Sequence, residues 1–127
     1  MGSCTRLLDD ADRLLRTMGQ GLWPRATAFL LRMALEAALA DFWERTQPGV
    51  RDCDMNAQLL CLTVYRDQNT VRLAVRAWSA LSAACRYHGY ELSPTAGELR
   101  ALHSEVGMLA TRLTCPTHRA SKKEHST

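Results

Sequence analysis

The chain has 127 residues, enough for one domain with its own core and too few for two ordinary ones. Hydrophobic residues make up 46% and charged residues 23%, both near the values of soluble globular domains, which excludes disorder throughout. The net charge of +3 speaks for no nucleic-acid or membrane partner, because Arg119, Lys122 and Lys123 against Glu124 place two of those charges in the polar terminal segment.

The first predicted helix runs from about Thr5 to Met18. Leu7, Leu8, Ala11, Leu14, Leu15 and Met18 share one side, and Asp9, Asp10, Asp12, Arg13 and Arg16 share the other. Asp9 and Asp10 are expected in its first turns and Arg16 near its end, the order the helix dipole favours. Gly19 and Gly21 stop it. The charges between Arg6 and Arg13 leave no apolar core for a secretory signal.

Pro24 opens a long second helix to about Arg45. Ala28, Leu31, Leu35, Ala38, Leu39 and Phe42 form its main stripe. Phe29, Met33, Ala37, Ala40 and Trp43 form a second apolar side, which predicts a helix covered on more than one side. Arg25, Arg32, Glu36 and Asp41 exclude a membrane span there, and Arg32 and Glu36 are spaced to pair.

A shorter third helix is expected after Asp52 or Asp54, through Met55, Leu59, Leu60 and Leu62. Residues 62–65 are locally strand-like but lack a partner strand. The fourth helix is expected from Gln68 to Tyr87, with Val71, Ala74, Val75, Trp78, Leu81, Ser82 and Cys85 inward and Gly89 closing it. The Thr95-Ala-Gly-Glu98 capping box opens a fifth helix, about Ala96 to Leu113. Leu99, Leu102, Val106, Leu109 and Leu113 form its stripe, while Gly97 and Gly107 each cost it about 1 kcal/mol against Ala. The expected fold is an all-α up-and-down bundle of about five helices without a sheet, over residues 1–116. Residues 117–127 are expected to be a disordered, polar, basic tail.

Candidate chemistry is sparse. The five cysteines form no CxxC, so they read as reduced thiols of a cytoplasmic protein. No Glu-x-x-His or His-x-x-x-His occurs, so neither a metal nor another cofactor is expected. The histidines read as surface or helix-end groups. Arg72 and Arg76 are like charges one turn apart, which suits either a solvated face or an acidic or phosphate partner. Arg86, His88, Tyr90 and Glu91 crowd a helix end, as a helix cap or as a binding rim. A third possibility is a small apolar ligand pocket near Trp43 and Trp78.

The stretch Phe29–Trp43, with its Ala-x-Glu-x-x-Leu-like pattern, resembles the long helix of HEPN domains (higher eukaryote and prokaryote nucleotide-binding). The resemblance implies a small helical bundle, usually dimeric, that is either a toxin or defence ribonuclease or a non-catalytic partner of a nucleotidyltransferase. Catalytic members carry an arginine followed within about two helical turns by a histidine, acting on the RNA 2′-OH and phosphate. Arg112 and His118 are the formal match here, with Pro116 between them and Leu113 where the family has a polar residue. Residues 58–62 and 90–96 are also similar to a pattern in uncharacterised actinobacterial proteins, and a bacterial origin is implied. The expected function is a cytoplasmic, non-catalytic HEPN-like interaction module, a homodimer or bound to a protein partner, with no membrane role. Alternatives are a metal-independent ribonuclease using Arg112 and His118, or Arg86 and His88, and a small-ligand-binding bundle.

Overall fold

Helix α1 (Gly2–Arg16) starts about one turn before its expected beginning, because the buried Cys4 side chain holds that turn against the bundle. Asp9 and Asp10 therefore lie mid-helix and face no free N-terminal amides. The local pairs Asp10–Arg13 at 3.6 Å and Asp12–Arg16 at 3.0 Å link charges one turn apart. These pairs are solvent-exposed and contribute little. The computed structural model describes residues 2–16, 23–86 and 94–114.

Helix α2 (Trp23–Thr46) is the hub. It packs on α1, on α4 (Gln68–Arg86), on α5 (Ala96–Thr114) and on a short 3-10 turn, Pro48–Asp52, that the sequence pattern does not announce. Ala28, Leu31, Ala34, Leu35, Ala38, Leu39, Phe42 and Trp43 are all buried. The second apolar side is covered only in part: Trp43 is inside, Met33 and Ala40 are half-buried, and Phe29 is 54% exposed. The Arg32–Glu36 pair forms at 3.8 Å, and the Arg32 guanidinium lies 4.7 Å over the Trp78 ring.

Helix α3 (Met55–Tyr65) is capped by Asp54, whose carboxylate accepts the Ala57 amide at 2.9 Å. The buried Gln58 side chain donates to the carbonyls of Cys53 at 2.8 Å and Arg51 at 3.3 Å, tying the helix to the preceding turn. The strand-like segment 62–65 is helical. Leu62 is buried, and Tyr65 packs edge-on to Phe42 and Trp43, so tertiary contact overrides local β preference.

On α4 the inner stripe is Thr70, Val71, Ala74, Ala77 and Leu81. Ala77 takes the place expected for Val75, which is 42% exposed, and Trp78 sits half-buried at the α2 edge beneath Arg32. The capping box of α5 forms in both directions. The Glu98 amide donates to the Thr95 hydroxyl at 3.0 Å, and the Thr95 amide donates to the Glu98 carboxylate at 2.9 Å. Leu99, Val106, Leu109 and Leu113 are buried.

The cross-helix pairs fix directions. Leu8 meets His103, Thr70 meets Arg112, Arg76 meets Glu105, and Arg32 meets Trp78 while Phe42 meets Arg66. Neighbours α4/α5 and α2/α4 thus run antiparallel. The five described helices make an all-α up-and-down bundle, with the short α3 set against α4 and the 3-10 turn. No strand occurs among the described residues. His103 is not at the surface or a helix end. It is half-buried in mid-α5, with Nε2 3.0 Å from the Leu8 carbonyl oxygen.

Gly107 is a built-in weakness of α5. A Cβ there would meet nothing within 4 Å, so Gly107→Ala is expected to raise the unfolding free energy by about 1 kcal/mol in urea denaturation. An unchanged or lowered midpoint would contradict this.

Candidate functional site

Arg112, the arginine of the formal Arg–His match, sits in the last turn of α5 and reaches across to the first turn of α4. Its guanidinium donates to the Thr70 hydroxyl at 3.3 Å. That hydroxyl donates to Asp67 at 2.8 Å, and the Thr70 amide donates to the other Asp67 oxygen at 3.2 Å. Burial by itself would raise the Asp67 pKa, but the two Thr70 hydrogen bonds, a bond from its own backbone amide and the Arg112 charge together outweigh it and hold it below the usual carboxylate value. The cluster is an N-cap braced by a third helix.

Arg66, at the α3–α4 junction, completes it. Its guanidinium donates to the carbonyls of Tyr65 at 3.2 Å and Leu113 at 3.4 Å and lies 5.0 Å over the Phe42 ring. It satisfies carbonyls that helix ends leave open and packs its flat face on an aromatic, a geometry that a lysine would not reproduce. The spacing Asp67–Thr70 is a legible capping signal. Arg66 has no such signal, because its partners come from distant segments.

The other candidate residues are not drawn together. Arg76 pairs with Glu105 of α5 at 3.3 Å. Arg72 is exposed and lines a groove of about 420 Å³ with Thr63, Arg66, Asp67, Gln68 and Val71. Arg86 is exposed in the last turn of α4. His88, Tyr90, Glu91 and His118 lie outside the described residues.

A second groove, about 270 Å³, opens between α1, α2 and α5. Cys4, Leu8, Ala38 and Ala110 line its walls, with Asp41 and Arg45 one turn apart on α2. Burial pushes the Cys4 thiol pKa up, and the Asp41 charge adds to this, so Cys4 stays a protonated thiol rather than a nucleophile. Neither groove is lined by Trp43 or Trp78. Among the described residues no three His, Cys, Asp or Glu side chains are placed to hold a metal ion. No described helix is long and apolar enough to cross a membrane.

One feature of α3 escapes the sequence pattern. Leu59 and Leu62 are buried, yet Leu60 and Val64, one turn apart on the opposite side, are 70% and 68% exposed. The helix is apolar on both sides and packed on one. Searches for similar proteins find no family model, no curated protein and no solved structure that matches the chain.

Proposed function

We propose that the chain is a non-catalytic helical interaction module of HEPN-like type, acting in the cytoplasm as a homodimer or on a protein partner. The observation that carries this reading is the outward side of α3. Two large aliphatic side chains adjacent on one helix face are left in water by the chain's own fold, an apolar face that a second surface would cover. The engagement of Arg112 with Thr70 favours this reading over a ribonuclease. A general acid–base pair needs its groups turned toward a substrate, whereas this arginine braces the start of α4.

Labelled total RNA incubated with the wild-type chain is expected to stay as intact as in buffer. Cleavage that disappears in Arg112→Ala, His118→Ala, Arg86→Ala or His88→Ala would overturn the non-catalytic reading.

A further inference from the structure

The exposed face of α3 is bounded by charge in an ordered way. Asp52, ending the 3-10 turn, and Asp54, capping α3, are exposed at its N-terminal end. At its C-terminal end stands the exposed Arg72 of α4, which shares a groove with Thr63. None of the three has an ion-pair partner among the described residues, whereas the neighbouring Arg51 and Arg76 are paired, with Glu44 and Glu105.

An apolar centre with negative charge at one end and positive charge at the other is complementary to itself when turned through a half-rotation. A two-fold dimer interface requires that property, because each patch must fit its own copy. The geometry points to a second copy of this chain docking here, α3 antiparallel to α3. Leu60 and Val64 then meet their counterparts, and Asp52 and Asp54 of each protomer face Arg72 of the other. This rests on the interaction-module reading and gives it a face and an occupant. The apolar centre is small beside the roughly 800 Å² per partner of a standard interface, so the dimer is weak and reversible, with a dissociation constant on the order of micromolar.

Sedimentation equilibrium of the full chain over a wide concentration range tests it. The wild type is expected to pass from monomer to dimer. Leu60→Glu with Val64→Glu is expected to weaken association by about 30-fold or more, since like charges then meet at the centre. These positions are exposed, and circular dichroism will show the helices intact. Arg72→Asp is expected to weaken it by about 10-fold, and adding Asp52→Arg to the same chain is expected to recover most of that loss. Phe29→Glu, on the outer side of α2, is expected to change nothing. A dimer that survives the Leu60/Val64 double variant, or a charge reversal that Asp52→Arg does not recover, overturns the α3 pairing while leaving the interaction module to use another face. A wild type that stays monomeric at every concentration overturns the pairing and the homodimer together, and a heterologous partner is then what the module reading requires.

Discussion

Trp43→Ala is expected to lower the free energy of unfolding by about 3–5 kcal/mol, among the largest effects of any single truncation among the described residues. Trp43 is fully buried near the end of α2, where it packs edge-on to Phe42 at a centroid distance of 4.8 Å and to Tyr65 at 5.6 Å. Removing it empties a core position and breaks one of the two ring contacts that Tyr65, at the end of α3, makes with the central helix. Its indole Nε1 is buried without a hydrogen-bond partner, so the polar atom adds cost rather than stability. Trp43→Phe keeps a ring and removes that donor, and it is expected to lose less than half as much as Trp43→Ala. Urea denaturation followed by far-ultraviolet circular dichroism compares the two. Equal losses in both variants would mean that a phenyl ring recovers none of the packing, and would contradict ring contact as the source of the site's energy.

The second large effect separates the two sides of α3. Leu62→Ala, at a fully buried position, is expected to cost about 2–5 kcal/mol, whereas Leu60→Ala, two residues earlier and 70% exposed, is expected to stay within about 0.5 kcal/mol. The same chemical change on one short helix thus distinguishes core from surface. Measurement at low protein concentration, where chains are apart, gives the intrinsic values. A loss of several kcal/mol from Leu60→Ala under those conditions would place Leu60 in the core and remove the exposed face altogether.

Much of the fold was legible in the residues. Helical spacing located all five helices. The cap signals, Asp52 or Asp54 for α3 and Thr95 for α5, bracketed the starts of those helices, with Asp54 the cap that forms, and the apolar sides of Phe29–Trp43 marked α2 as the hub. What remained hidden has physical causes. Met55, Leu59, Leu60, Leu62 and Val64 encircle α3, so periodicity cannot say which side faces the bundle; only its seat on α4 and the 3-10 turn decides. The early start of α1 depends on where Cys4 is buried, which no local propensity encodes. In the candidate site, the Asp67–Thr70 cap follows a recognisable spacing, but Arg112 meets Thr70 from 42 residues away and Arg66 meets Leu113 from 47. Arg112, singled out as a chemical group, donates to the Thr70 hydroxyl, while His118 lies outside the described residues. Of the face formed by Leu60, Val64 and Arg72, only Arg72 was singled out in the residues; among the described residues it has no ion-pair partner, whereas the neighbouring Arg51 and Arg76 have one.

Amide hydrogen exchange of the full chain at low and at high protein concentration tests the central claim most directly. The account predicts that amides of α3, residues 55–65, and of the first turns of α4 gain protection as concentration rises, while those in the middle of α2 and α5 exchange at unchanged rates. Protection in α3 that is identical at both concentrations would contradict it.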